Sequence, residues 1–264
     1  MPIPMDVYPQ DIPLILKSFF DLAETSKFPK KHRFYAACAF YSKLIKGECS
    51  AKSIPQEVKY NLSEICHILI MADQLYKTNK RKELSRCSRI ATLAAEARIG
   101  SYYKRLGYSV KWLSPTSEDP PDLVVCSPYI KLKVDIEVKI KDETFKIKNF
   151  NGAIKAIFAS LSKSLESLRN RKHKKNPAIV VVHADKDLNW PDWLGNPQIL
   201  KRLESRLKLD EYKIISGIIF SGGIDILHMK QGIEAYNTKL VAFRSHVAYA
   251  QLPKGFLPTL TGEL

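Results

Sequence analysis

Two apolar runs in the middle of the chain carry charged residues at the spacing of a β-strand. They cover residues 121–125 and 134–139, and their apolar positions are valine, leucine and isoleucine. These side chains favour a pleated, half-buried backbone, so each run predicts a strand. Because side chains alternate between the two faces of a strand, Asp135, Glu137 and Lys139 share one face of the second strand. Charged groups inside such a strand are costly unless they bind something.

Helical periodicity fills the chain before these strands. Apolar residues recur there at intervals of three and four, which indicates amphipathic helices. The predicted helices cover residues 11–23, 34–46, 53–77 and 88–106. Gly107 is expected to end the last helix, and residues 108–113 predict a first strand. The first three helices contain no candidate chemistry, so we expect an α-helical N-terminal domain or cap over residues 1–85.

The pattern after the central strands alternates between helix and strand. We predict a helix over residues 153–169, a strand over 178–183, a helix over 199–207 and a strand over 212–220. The strand that begins at Ala178 is almost continuously apolar, which is typical of a strand buried on both faces. A strand, a helix and then a buried strand predict a parallel crossover. We therefore expect residues 86–264 to form one α/β domain.

The charged residues of the two central strands suggest a metal site. Pairing the strands as neighbours brings Asp122 close to Glu137 and Lys139. Two adjacent carboxylates repel each other and bind a hard divalent cation well through their oxygens. A lysine beside that cation can orient or deprotonate an attacking water, or stabilise charge on a phosphate. Asp135 competes with Glu137 for the role of ligand, because it lies two residues earlier on the same strand face.

Pro121-Asp122 and Glu137-Val138-Lys139, separated by a short strand–turn–strand interval, resemble the motif of the PD-(D/E)XK nuclease superfamily. The order helix, three strands, helix, strand over residues 88–185 is similar to the core of that superfamily. The resemblance implies a restriction-endonuclease-like α/β fold, with a mixed sheet flanked by helices. It also implies a metal-dependent nuclease, in which Asp122 and Glu137 hold Mg²⁺, with Mn²⁺ as an alternative, and Lys139 positions the attacking water.

The resemblance also gives a role to Glu96. In many members of the superfamily, a helix before the sheet carries a glutamate that completes the metal shell, and a strand similar to residues 106–110 follows. On this interpretation Glu96 is a catalytic residue and a further metal ligand. The alternative is that Glu96 faces solvent or pairs with a nearby cation such as Arg98 or Lys104.

A strong excess of positive charge favours a polyanionic partner. The 264 residues carry a formal net charge of +15, and 45% of them are hydrophobic, which excludes a disordered chain. Both nucleic acid and an anionic membrane surface would attract a chain with this excess of positive charge. The residues expected to contact phosphates are Lys80, Arg81, Lys82, Lys141, Arg171, Lys172, Lys174 and Lys175. Each of these basic segments is equally explained as a solvated surface.

The same composition indicates a cytoplasmic protein without a membrane partner. No apolar run approaches the roughly 18–20 residues that a spanning helix needs, and the start of the chain lacks the pattern of a signal peptide. The five cysteines form no Cys-x-x-Cys pair, so we expect reduced thiols rather than disulfides or a zinc site.

Several functions remain open at this point. The expected activity is hydrolysis of phosphodiester bonds in DNA, as in an endonuclease of the restriction or defence type. The same residues also fit an RNA-cleaving effector, or a nucleic-acid-binding module on this fold that has lost catalysis. A membrane-surface protein is a further alternative, although no amphipathic helix with a lipid-facing side stands out. By analogy with restriction enzymes, the resemblance also allows a homodimer.

Overall fold

The computed structural model describes residues 9–78, 80–113, 121–141, 150–170, 175–184, 196–228, 234–258 and 262–263. For residues 9, 141, 150, 222–228, 234–239 and 262–263 it describes the backbone alone.

The chain divides into two compact units. The first, which we call the helical unit, comprises Pro2–Leu106 together with Asp225–Asn237. The second, the sheet unit, comprises Gly107–Ile224 and Thr238–Leu264. The boundary therefore follows Leu106 and differs from the boundary predicted after residue 85.

Helices dominate the first unit. Its described α-helices are α1 (Ile12–Ala23), α2 (Tyr35–Ile45), α3 (Gln56–Ile70), α4 (Ala72–Lys77) and α5 (Ile90–Arg105). The predicted helices at 11–23, 34–46 and 88–106 are confirmed. The one predicted over 53–77 is two helices, because the backbone leaves helical geometry at Met71, with φ −97° and ψ 8°. Helix α5 packs along α3, which explains why the boundary between the units lies later than predicted.

Gly107 ends α5 as predicted. Its φ of +84° lies in the left-handed region, which glycine adopts without the strain that a Cβ causes. The chain then enters the sheet unit at β1.

The sheet unit contains a mixed sheet. The described strands are β1 (Ser109–Trp112), β2 (Leu123–Cys126), β3 (Lys133–Lys141), β4 (Ala178–Ala184), β5 (Ile215–His228), β6 (Glu234–Arg244) and the short β7 (Gly262–Glu263), and they lie side by side in chain order. Residues 225–228 of β5 and 234–237 of β6 belong to the helical unit, and the rest of the sheet belongs to the sheet unit. Two helices accompany them, α6 (Phe150–Arg169) and α7 (Pro197–Leu207). Strands β1, β2 and β3 are antiparallel neighbours, whereas β4 runs parallel to β3 and β5 parallel to β4. The predicted mixed α/β sheet flanked by helices and its parallel crossover are confirmed.

The last predicted strand differs most from the structure. A 3₁₀ turn occupies Asp210–Tyr212, so β5 begins at Ile215 rather than at residue 212. The strand then continues through Gly222 and Gly223, beyond the end predicted at residue 220. Glycines do permit a turn there, but hydrogen bonds to a neighbouring strand keep this segment extended.

Helices α6 and α7 cover one face of the sheet at β4 and β5. Their apolar residues, among them Leu161 and Leu203, pack with Val180, Val182 and Phe220 in one buried cluster. Val180 and Val182 stand opposite Glu137 and Lys139 in the parallel pairing of β4 with β3. The acids of β3 therefore belong to the face that carries α6.

Candidate active site

The pairing of β2 with β3 brings the predicted motif together. Leu123 stands opposite Ile136, and Val124 opposite Asp135. Continuing this register by one residue places Asp122 opposite Glu137. Directly opposed residues of an antiparallel pair project from the same face of the sheet. The two acids therefore lie side by side on one face, as predicted.

Asp122 is held in this position by a backbone hydrogen bond. Its Oδ2 accepts from the N–H of Val138 over 2.7 Å. Val138 lies between Glu137 and Lys139 in the sequence, so the bond fixes the Asp122 carboxylate beside both residues. Sequence reasoning predicted the proximity, but it did not identify the Val138 N–H as the group that holds it.

Glu137 is a buried acid with a cation at its side. The residue is 4% exposed, and its Oε1 accepts a hydrogen bond from Lys139 Nζ. The side chain of Lys139 is 25% exposed, so its ammonium lies at the edge of the buried region. A buried carboxylate is costly without a charged or hydrogen-bonded partner, and Lys139 supplies one. The predicted trio of Asp122, Glu137 and Lys139 is thus one contiguous group.

Asp135, the alternative ligand, is buried and faces a different partner. Its Oδ1 accepts a hydrogen bond from Asn176 Nδ2 over 3.3 Å. It lies two residues from Glu137 along β3, a distance of roughly 7 Å at the rise of a strand. Its place in the pairing is opposite Val124, whereas Asp122 stands opposite Glu137. The geometry therefore favours Glu137 over Asp135 as the partner of Asp122.

Glu96 lies in the helical unit, near the middle of α5. It is 2% exposed, and its Oε2 accepts a hydrogen bond from Lys80 Nζ over 2.7 Å. It therefore pairs with a cation, but with neither of the two that we named. Arg98 contacts Glu64 and Lys104 contacts Asp73, over 3.3 and 2.5 Å. The role of Glu96 as a metal ligand stays a prediction.

The predicted phosphate-binding residues fall into four groups. Lys80 is buried in its ion pair with Glu96, which removes the basis for its predicted phosphate contact. Arg81 is half-buried, pairs with Glu24 and lies 5.1 Å from the centre of the Tyr76 ring. Exposed lysines are found at positions 82 and 175. Arg171, Lys172, Lys174 and the side chain of Lys141 lie outside the described part of the chain.

The donor set suits a hard divalent cation. Asp122 and Glu137 offer carboxylate oxygens, the ligands that Mg²⁺ and Mn²⁺ prefer. Mg²⁺ is commonly bound through one or two carboxylates, with water and substrate oxygens completing its shell. Two acids side by side fit that pattern. Within the described ranges, no group of three or more histidine, cysteine, aspartate or glutamate residues is placed to hold a metal ion.

Sequence reasoning missed a buried charge network in the helical unit. Glu64 accepts hydrogen bonds from Arg33 through both of its oxygens, each over 2.7 Å, and also contacts Arg98. Arg33 in turn donates to the Tyr60 hydroxyl over 3.0 Å. The available signal was the presence of Glu64 and Arg98 inside apolar helical stretches, where a charge requires a partner.

Comparisons of the chain with family models, with curated proteins and with solved structures give no match. In the described part of the chain, no helix combines the length and apolar character needed to cross a bilayer.

Proposed function

We propose that this chain is a metal-dependent nuclease of the PD-(D/E)XK type, which hydrolyses phosphodiester bonds with DNA as its preferred substrate. The observation that carries the proposal is the hydrogen bond from the Val138 N–H to Asp122. It sets two carboxylates and the Lys139 ammonium on one face of neighbouring strands. That combination suits phosphodiester hydrolysis, because it offers ligands for a cation and a positive group for the phosphate.

The order of elements supports a restriction-endonuclease-like core. Helix α5 precedes an antiparallel meander of β1, β2 and β3, and α6 then leads to the parallel strand β4. Asp122 stands immediately before β2, Glu137 at the middle of β3 and Lys139 in its second half. This arrangement supports the resemblance that the sequence suggested.

The chemistry divides between the acids and the lysine. Asp122 and Glu137 would hold Mg²⁺ or Mn²⁺ through their carboxylate oxygens. When bound, the cation lowers the pKa of a water ligand and neutralises negative charge on the phosphate. The Lys139 ammonium donates a hydrogen bond to the Glu137 carboxylate, so it would lie beside a phosphate bound at the acids. There Nζ can donate to a phosphate oxygen and orient the attacking water.

Cleavage of plasmid DNA in Mg²⁺ tests this function. We expect Asp122→Asn, Glu137→Gln and Lys139→Met each to lower the rate by about a hundredfold or more, the range for loss of a group acting in the transition state. Glu166→Gln is the matched control, because Glu166 is an exposed acid on α6 outside the motif. Labelled RNA in the same assay distinguishes the two polymers. Equal cleavage by all these proteins would contradict the proposal.

One observation also favours a binding module without catalysis. The contact between Lys139 and Glu137 neutralises the buried acid from within the protein. A carboxylate satisfied in this way needs no cation. Calorimetric titration with Mg²⁺ and with Mn²⁺ separates the two functions. The nuclease should bind a cation, and Glu137→Gln should abolish that binding, whereas the binding module should take up none.

A further inference from the structure

The meander of β1, β2 and β3 has one covered face and one open face. On the covered face lie Val110 and Trp112 of β1 and Leu123 and Val125 of β2, all buried. The residues between them project to the other side, where β1 is exposed and β2 is half-buried. The open face is the one that carries Asp122 and Glu137, since Val124 stands opposite Asp135 on that side.

The open face extends from β1 to β3 and stops at β4, where helices α6 and α7 cover the sheet. Helices α6 and α7 cover this side of the sheet over β4 and β5, where Val180 and Phe220 are fully buried. On β1 the corresponding residues, Ser109 and Lys111, are exposed. The acids of β3 therefore lie at the border between the covered strands and the open meander.

Three lysines add positive charge to the open face beside the acids. Lys111 on β1 and Lys133 on β3 project from this face, and Lys131 lies in the turn between β2 and β3. The sequence from Leu123 to Val134 contains no aspartate or glutamate. Among the described residues, no ion pair engages these three lysines. Their charge is therefore available to an anionic partner.

An ordered turn presents an aromatic ring beside these lysines. Ser127 Oγ accepts from the N–H groups of Tyr129 and Ile130, over 3.2 and 3.3 Å, and the Ser127 N–H donates to the Leu132 carbonyl over 3.1 Å. Tyr129 is 88% exposed, and Ile130 is also exposed. Exposed aromatic rings next to lysines are typical of surfaces that stack unpaired bases.

We propose that this surface binds a single-stranded segment of DNA and leads it to the acids of β3. The meander surface consists of Ser109, Lys111, Val124, Cys126, Lys133 and the turn of residues 127–132. Lysines 111, 131 and 133 contact phosphates, and the Tyr129 ring stacks on a base. Lys133 precedes Glu137 by four residues, about 13 Å along the strand. The assignment of the substrate rests on the proposed nuclease function, whereas the binding surface rests on its own exposure and charge.

Binding without cleavage tests the surface directly. The full chain is titrated in EDTA with a short fluorescent single-stranded oligodeoxynucleotide, and anisotropy gives Kd at several salt concentrations. We expect Tyr129→Ala to raise Kd about tenfold, within the range for losing one stacked base. The combined variant Lys111→Gln, Lys131→Gln, Lys133→Gln should reduce the slope of log K against log salt by about 2, the value for three phosphates on a single strand.

Matched controls lie on the helices of the same unit. Lys163 of α6 and Lys201 of α7 are exposed, so Lys163→Gln and Lys201→Gln remove charge away from the meander surface. These variants should bind the oligonucleotide with nearly unchanged Kd and cleave as wild type does. Circular dichroism confirms that every variant is folded.

Cleavage of a small chromogenic phosphodiester separates this proposal from the nuclease proposal. Wild type and the control variants at Lys163 and Lys201 should hydrolyse it equally, because it is too short to reach the meander surface. If the variants at Tyr129 and the three lysines bind the oligonucleotide as wild type does, or if wild type binds only duplex DNA, the meander surface is refuted while the nuclease stands. If binding falls as expected but no protein cleaves any phosphodiester, the surface stands and the nuclease is refuted.

Discussion

Asp122 and Val138 are joined by a hydrogen bond that reaches from the start of one strand to the middle of its neighbour. The backbone N–H of Val138 donates to Asp122 Oδ2 over 2.7 Å. The Asp122 carboxylate thereby acts as a structural acceptor as well as a candidate metal ligand. These two roles depend on different properties of the group, since the first needs an oxygen and the second also needs a negative charge. Substitution can separate them.

Replacement of Asp122 by asparagine should retain the fold and abolish cation binding. Asparagine keeps an oxygen that can accept from Val138, so we expect the free energy of unfolding to change by less than about 1 kcal/mol. Asp122→Ala removes the acceptor and should cost about 1–2 kcal/mol. Urea denaturation measures both values, and calorimetry with Mn²⁺ measures binding. Equal stability of the two variants would show that the bond to Val138 contributes nothing.

The ion pair between Lys80 and Glu96 should be important for stability. Both side chains are almost fully buried, so Lys80→Met removes a cation from beside a buried carboxylate. Breaking a buried pair from one side costs about 3–5 kcal/mol, whereas replacing both partners by apolar groups costs much less. We expect the combined variant Lys80→Met, Glu96→Leu to recover most of the loss in urea denaturation.

Lys82→Met is the matched control for that pair. Lys82 is exposed and two residues away, so its replacement should change the free energy of unfolding by no more than about 0.5 kcal/mol. If Lys80→Met and Lys82→Met lower stability equally, the pair with Glu96 is not a stabilising contact.

Local sequence pattern was sufficient to predict the position of Asp122 beside Glu137 and Lys139. Alternation placed Glu137 and Lys139 on one face, and a short turn made neighbours of the two strands. The parallel crossover to β4 was also predictable, because the continuous apolar run of β4 is typical of a strand buried on both faces. Each of these inferences depends on residues close together in the chain or on one strong pattern.

Contacts between distant segments could not be predicted in this way. Glu96 pairs with Lys80 rather than with Arg98 or Lys104, because packing in the helical unit brings Lys80 to that position. The break between α3 and α4 at Met71 could not be predicted, because no glycine or proline lies there. The continuation of β5 past Gly223 depends on a partner strand rather than on the propensity of its own residues.

The thiol of Cys66 should resist alkylation in the folded protein. Burial raises its pKa to about 12, although the nearby Arg105 guanidinium acts in the opposite direction. Only the thiolate reacts with iodoacetamide, and at neutral pH almost none is present at such a pKa. Cys126 is partly exposed and provides the comparison. Mass spectrometry should show modification of Cys126 first and of Cys66 only in denaturant. Early labelling of Cys66 would contradict its burial.

His67 should make the protein less stable below about pH 6.5. Burial, aided by the charges of Arg98 and Arg105, lowers its pKa well below the ordinary value of 6.5. In the unfolded chain, the imidazole takes up a proton near pH 6.5, whereas in the folded protein it stays neutral to a much lower pH. Acid therefore favours the unfolded state. The stabilisation is complete above pH 6.5 and is lost as the pH falls towards the folded pKa, at up to about 1.4 kcal/mol per pH unit.

The variant His67→Gln tests this dependence through a slope rather than through absolute stability. A glutamine side chain does not titrate, so between about pH 6.5 and 5 the variant should lose up to about 2 kcal/mol less than wild type in urea denaturation. Burial also lowers the pKa of His32, and the backbone hydrogen bond to Leu84 opposes that shift. His32 is present in both proteins, so its contribution cancels in the comparison. Parallel stability curves for the two proteins would show that His67 is not the group that responds to acid.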